Sequence, residues 1–237
     1  MSVNLLNCDC FELLTQIEDN AIDLILTDPP YHISRPSGFT NTKLKKYSKL
    51  SMNFGEWDNQ DNDSLLFDVL KECYRVLKDK GTLICFYDLW KITVLKDYLI
   101  ECGFKQLRFI EWLKTNPVPI NSNLNYLTNS REIAVSSVKG SNPVFNSKYD
   151  NGLYSYPIYH KNDRFHPTQK PLDLFEELIL KHSKPNDIVL DCFSGSCTTG
   201  VACQNTGRSF IGCEIDEGYY NKSLLRLKEN NAQSKLI

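Results

Sequence analysis

The sequence predicts an α/β protein: a mostly parallel central sheet with helices on both faces. Three observations carry this prediction. Short apolar runs alternate with helix-length amphipathic segments along nearly the whole chain. Two of the runs, at residues 21–27 and 187–191, read as buried strands. Each ends in an unusual turn, Asp28-Pro29-Pro30-Tyr31 and Asp191-Cys192-Phe193-Ser194-Gly195-Ser196-Cys197-Thr198-Thr199-Gly200. In open α/β folds ligands bind just beyond the carboxyl ends of such strands. Two special turns at two strand ends therefore predict one shared site, built from opposite ends of the chain.

The elements follow in order. Residues 3–7 predict a strand that ends at Cys8-Asp9-Cys10, with a helix at 11–17 and a second strand at 21–27. Residues 32–63 lose periodicity and are rich in Ser, Asn, Lys and Gly. A stretch of that length predicts a flexible functional loop. Helical spacing returns at Leu66, Val69, Leu70, Cys73, Tyr74 and Leu77, with Gly81 expected to end the helix before a strand at 82–87. A second helix covers 89–102, with Gly103 in the favoured position after it. Strands follow at 104–113 and 132–138, as candidates to pair. The stretch from 116 to 165 is polar and aromatic. A helix at 172–182 has Pro171 at its start. Then come a strand at 188–191, a helix at 198–205, a strand at 209–214 and a helix at 216–230 capped by Asp216.

The bulk numbers fit one domain over residues 1–237. With 41% hydrophobic and 24% charged residues, and no run able to span a bilayer, the expectation is a cytoplasmic globular protein without membrane contact. The nine cysteines are odd in number and include no C-x-x-C pair, which predicts reduced, mostly buried thiols and no metal site. A net charge of −2 gives no whole-molecule attraction to nucleic acid. Locally, Lys43, Lys45, Lys46 and Lys49 crowd one segment.

The chemistry lies in the turns. Gly195, between a strand and a helix, lets backbone approach a ligand closely. Neither a Gly-x-Gly-x-x-Gly fingerprint nor a phosphate-binding P-loop is present. Glu214, 23 residues after Asp191 and at the end of the next strand, is placed to accept hydrogen bonds from ribose hydroxyls. In the other turn, Pro29 and Pro30 fix φ and remove two donors. The Asp28 carboxylate and the Pro29 carbonyl can each accept one N–H of a planar amine, with Tyr31 stacked on its ring. Apart from its context, the same tetrapeptide could be an ordinary loop.

Taken together, these motifs resemble the beta-ordered class of S-adenosylmethionine-dependent DNA adenine-N6 methyltransferases, in which the catalytic motif precedes the cofactor motif. The resemblance rests on Asp28-Pro29-Pro30-Tyr31, on Trp112-x-Lys114-x-Asn116-Pro117-x-Pro119, on His166-Pro167-Thr168-Gln169-Lys170-Pro171, and on the turn beginning at Asp191. It covers nearly the whole chain. It implies a Rossmann-like methyltransferase fold with circularly permuted motif order and a small target-recognition region within 116–165. Asp28, Pro29, Pro30 and Tyr31 would then be catalytic. Asp28, Asp191, Phe193, Ser194, Gly195, Ser196, Thr198 and Thr199 would surround S-adenosylmethionine, Glu214 its ribose, and Asp9 and Cys10 its adenine. Lys170, with Thr168, would meet its methionine carboxylate.

Double-stranded DNA is the implied partner. Residues 32–63 would clamp it through Arg35 and the lysine cluster, and Asn121, Asn123 and Arg131 would contribute to base recognition. A homodimer stays open, as does a cognate restriction endonuclease acting without a stable complex. The chain departs from the family pattern at Cys192, where Pro is usual, and at Cys197, where a second Gly is usual. If residue 197 needs positive φ, cysteine there costs about 1 kcal/mol or more. Cytosine-N4 transfer shares the geometry, with Asp rather than Ser before Pro-Pro-Tyr favouring adenine. A catalytically silent cofactor-binding or DNA-binding regulator is a further alternative.

Stacking of a flipped base on Tyr31 would contribute about 1–3 kcal/mol. Tyr31→Ala should therefore lower methyl-transfer rates severalfold or more while cofactor affinity changes little. Parallel rate and cofactor titrations check this, and equal loss of both removes the stacking role.

Overall fold

The structure is a computed structural model that describes residues 2–30, 62–118, 127–159 and 164–234. Its elements in chain order are β1 (Val3–Leu6), α1 (Cys10–Thr15), β2 (Ile22–Thr27), α2 (Asn62–Val76), β3 (Leu77–Tyr87), α3 (Ile92–Glu101) and β4 (Lys105–Lys114). There follow β5 (Arg131–Val138), β6 (Leu153–Tyr156), α4 (Leu172–His182), β7 (Ile188–Asp191), α5 (Thr198–Thr206), β8 (Ser209–Cys213) and α6 (Glu217–Ser234). The strands form one sheet in the order β1-β8-β7-β2-β3-β5-β4-β6. All neighbouring pairs run parallel except those of β5, which lies antiparallel between β3 and β4.

Central strands are apolar throughout because both faces are covered. In β2, Ile25 joins a core with Leu13, Leu14, Val69, Leu95 and Leu99 of α1, α2 and α3. Its neighbours Leu24 and Leu26 join the opposite core with Leu174, Phe175 and Leu178 of α4, Val201 of α5 and Leu227 of α6. Each such side chain contributes about 1.5–3 kcal/mol by leaving water. Strands β2 and β7 are adjacent, with Leu24 opposite Val189 and Ile25 opposite Leu190. From β7 the chain passes through α5 to β8 on one side; from β2 it passes towards β3 on the other. Ligand crevices open at such a reversal of strand order. Asp28 and the 192–197 turn both lie at this one.

The α/β expectation holds, with three local differences. Helix α2 ends at Val76 and β3 starts at once, so Gly81 lies inside a strand rather than closing the helix. The distant Lys139 replaces a glycine cap. Its ammonium donates to the carbonyls of Tyr74 at 2.7 Å and Leu77 at 2.8 Å, where a cation also suits the helix dipole. Residues 62 and 63, expected in the loop, open α2. Strand β6 had no sequence signal; it pairs with β4, and only Tyr154 of its four residues is buried. The other expected elements form with boundary shifts of a few residues. Gly103 has φ 101° after α3, and Asp216 accepts from the Tyr219 amide at the start of α6. The nine cysteines are thiols, seven of them buried.

Cys197 has φ 56° and ψ 39°, the left-handed conformation that its cysteine resists. Its side chain is accommodated by Gly200 one turn on, where a Cβ would meet the Cys197 Sγ at 2.5 Å and the Phe210 ring at 3.1 Å. Gly200→Ala should destabilise the fold by about 1–3 kcal/mol. In the Cys197→Gly background the same change should cost less, because the sulfur is gone. A double-mutant cycle by urea unfolding reads the difference.

Candidate active site

At the carboxyl end of β7 the chain turns sharply into α5. The Asp191 carboxylate anchors this turn. Oδ1 accepts from the Phe193 amide at 3.1 Å and the Thr27 hydroxyl at 2.9 Å, and Oδ2 accepts from the Thr199 hydroxyl at 2.6 Å. Asp191 thus ties the end of β7 to β2 and to the first turn of α5. The turn is braced from outside as well. The Ser194 amide donates to the Cys213 carbonyl at 2.9 Å, and Ser223 and Arg226 of α6 donate to the carbonyls of Gly195 and Ser196. Glu214 accepts from the amides of Gly195 and Asp216, both at 2.8 Å.

Gly195 has φ 50°, and a Cβ there would lie 3.2 Å from the His166 ring. Glycine therefore serves both the backbone angle and the packing of the ring. His166 rests edge-on against Tyr219 at 4.5 Å, with Nδ1 3.1 Å from the Thr168 hydroxyl. Burial, with Lys170 and Arg164 nearby, pushes its imidazole down to about 4, so it is neutral at physiological pH.

Asp28 follows β2 directly. Its Oδ2 accepts a 2.5 Å hydrogen bond from the Lys170 ammonium, while its buried Oδ1 has no hydrogen-bond partner among the described residues. Lys170 is only 5% exposed and lies over the Phe86 ring at 5.2 Å. It also makes an ion pair with Glu132 Oε2 at 2.8 Å, and Glu132 Oε1 pairs with Lys114 at 2.8 Å. Burial raises the Asp28 carboxyl from its ordinary value, Lys170 opposes that, and Glu132 adds to it. Burial would also raise Glu132, but Lys170 and Lys114 overcome it and hold the group at about 2. A small cleft opens here, walled by Asp28, His166, Lys170, Asp191, Phe193 and Ser196 among others. A wider open groove along β6 has its charges satisfied internally, Lys181 bonding to Asp150 and Glu177 at 2.6 Å each.

Residues 22–225 match the N6_N4_Mtase family, described as DNA methylase. The chain belongs to this family. It is 33% identical to the Type II methyltransferase M2.MboI of Moraxella bovis, over 95% of this chain and 88% of that one. It is 32% identical to the Type II methyltransferase M.HinfI of Haemophilus influenzae, over 95% of this chain and 68% of that one. Among solved structures, the M1.HpyAVI–SAM complex superposes with TM-score 0.73 at 30% identity, covering 95% of this chain and 98% of that one. The cytosine-N4-specific PvuII methyltransferase superposes with TM-score 0.76 at 19% identity, covering 95% and 86%, a likeness of fold.

In this DNA methylase the fold brings Asp28, Thr168, Lys170, Asp191, Phe193, Ser194, Gly195, Ser196, Thr198 and Thr199 around one cleft. Asp9 and Cys10 do not line it. Asp9 caps α1 through the amides of Phe11 and Glu12, and Cys10 is buried behind it. Lys170, expected to face a cofactor carboxylate, lies at the wall of this cleft and pairs with Asp28 and Glu132. Glu214 braces the glycine turn. Arg131 is exposed at the start of β5 and pairs with Glu111 at 3.1 Å. Tyr31, Arg35, Lys43, Lys45, Lys46, Lys49, Asn121 and Asn123 lie outside the described residues. Sequence reasoning missed Glu132 and the pairing of Lys114, whose only local signal was the Trp112-x-Lys114 segment. Asn116 of that segment ties β4 to the backbone of Ile158 at 2.6 Å.

Burial raises Asp191 from an ordinary 3.8 to about 6, despite hydrogen bonds from Thr199, Phe193 and Thr27 that lower it and with Asp28 adding to the rise. The native state therefore binds more protons than the unfolded chain between about pH 4 and 6. Stability is highest below that window and falls as pH rises through it, by about 3 kcal/mol for this group. Asp191→Asn cannot titrate, so its stability relative to the unmutated protein should rise by about that amount from pH 4 to pH 7. Denaturant unfolding at both pH values measures the change.

Proposed function

We propose that this DNA methylase transfers the methyl group of S-adenosylmethionine to the exocyclic N6 of an adenine flipped out of double-stranded DNA. The observation that carries the reading is the buried Oδ1 of Asp28 at the switch point, which has no hydrogen-bond partner among the described residues and is followed directly by a proline-rigid backbone. When bound, S-adenosylmethionine supplies an electrophilic methyl group on a sulfonium. The glycine turn suits it: Gly195 lets the turn fold tightly against the His166 ring, and Ser194, Ser196, Thr198 and Thr199 line one wall of the cleft. Glu214, held against the Gly195 amide, keeps further acceptor capacity for ribose hydroxyls.

The adenine amine is a poor nucleophile because its lone pair is delocalised into the ring. Asp28 Oδ1 and the Pro29 carbonyl each accept one amino N–H, which favours a pyramidal nitrogen with a localised lone pair. The role is positioning and electrostatic stabilisation. Burial raises the proton affinity of Asp28, which equips it to take the proton shed by nitrogen once the new N–C bond has formed. The Type II names of its relatives support a role beside a restriction endonuclease reading the same short sequence.

Labelled S-adenosylmethionine and unmethylated genomic DNA, with mass spectrometry of the nucleosides, test the reading. The unmutated protein should yield N6-methyladenine. Asp28→Ala should lower the rate by about 10²–10³-fold or more, with cofactor binding changed only a few fold. N4-methylcytosine as product would overturn the target base while keeping the mechanism. Cofactor binding with no DNA product would return the silent regulator.

A further inference from the structure

The Asp28 carboxylate faces a cation that it does not own. Lys170 stands between two carboxylates, Asp28 Oδ2 at 2.5 Å and Glu132 Oε2 at 2.8 Å. Glu132 in turn stands between two ammonium groups, Lys170 and Lys114. The four charges form a chain, Lys114–Glu132–Lys170–Asp28, whose sum is zero. It runs from β4 and β5 to the end of β2, and Lys170 is fixed in it by burial and by the Phe86 ring. Without Glu132, the Lys170 ammonium would turn more fully on Asp28. The negative charge of Asp28 would then be cancelled at contact distance, and its capacity to accept hydrogen bonds from a substrate amine would weaken.

We propose that Glu132 is a positioning residue of the transfer reaction: by sharing the Lys170 ammonium with Asp28, it keeps Asp28 from being neutralised and leaves Oδ1 a strong acceptor for the amino group. The proposal rests on the reading of Asp28 as that acceptor. Its physical content is a property of the ligand-free protein, and so can be measured apart from the reaction. Among the described residues, the charged and titratable groups that face Asp28 are Lys170, Glu132, Asp191 and the Cys85 thiol. Of these, Glu132 acts both directly, as a neighbouring negative charge, and through Lys170. Both effects hold the proton affinity of Asp28 up.

The test is a carboxyl-carbon NMR titration of Asp28 in the ligand-free protein, with Asp28→Asn to assign the signal. In E132Q the Asp28 midpoint should fall by about one pH unit or more. In E132D, which keeps the charge, it should return most of the way. In Lys114→Met, Glu132 turns more fully to Lys170, and the Asp28 midpoint should rise. A midpoint that stays or rises in E132Q overturns the proposal. So does an equal fall in E132Q and E132D, which marks a packing role. If E132Q does not fold, Lys114→Met decides alone, and an unmoved midpoint there overturns the proposal. In the methyl-transfer assay, kcat of E132Q should drop about tenfold with the cofactor KM held within about twofold. A matched loss in both overturns it. The product made by the unmutated protein reports separately on the target base.

Discussion

Two carboxylates, the buried Asp191 and the half-buried Asp28, lie within reach of each other's field at the carboxyl ends of adjacent strands, and much of the site is arranged around the cost of keeping them there. An uncompensated charge in a protein interior costs several kcal/mol. The two are compensated differently. Among the described residues Asp191 receives neutral donors, two hydroxyls and one amide, and its carboxyl stays raised. Asp28 receives a full cation. The difference matches their places. Neutral donors suit a group that holds a turn in shape, because they are directional and fixed in number. A shared cation suits a group whose second oxygen must remain open to a substrate.

That arrangement requires the one strand that runs backwards. Parallel strands present their carboxyl ends at the ligand edge of the sheet, so their first residues lie at the far edge. Strand β5 is antiparallel to β3, with Tyr87 opposite Ile133, and its first residues therefore lie at the ligand edge. Only that reversal sets Glu132 beside Lys170. The register with β4, in which Trp112 opposes Glu132, brings Lys114 to the other carboxylate oxygen. The reversed strand therefore adds a charged group to the ligand edge besides extending the sheet.

Features legible in the sequence were those set by local rules. Apolar runs named the central strands, the turns after β2 and β7 named the crevice, and Gly103 and Asp216 marked helix ends through side-chain and backbone chemistry within a few residues. The positive φ of residue 197 followed from a departure in one motif. What was not legible depends on groups that meet only after folding. Helix α2 stops at Val76 because Lys139, far along the chain, satisfies its carbonyls. Arg75 does the same for α1, donating to the carbonyls of Leu14 and Ile17 at 2.8 and 2.9 Å. Lys170 was visible as a cation near the site. Its partner Glu132 was not, because the direction of β5 leaves no mark in the alternation of its residues.

The local rules are broken where the function gathers. A cysteine adopts a left-handed backbone, carboxylates are buried, and a histidine is held neutral against a glycine turn, all within the reversal point between β7 and β2. Strain of this kind persists only where the surroundings over-determine it. Here they do: the turn is fastened to β2 by Thr27, to β8 by Cys213 and to α6 by Ser223 and Arg226. Two apolar cores cover the faces of the sheet that carries it. The ordinary parts of the molecule supply the stability, and the crevice uses some of it to keep open an acceptor that a neutral or fully paired side chain would not provide.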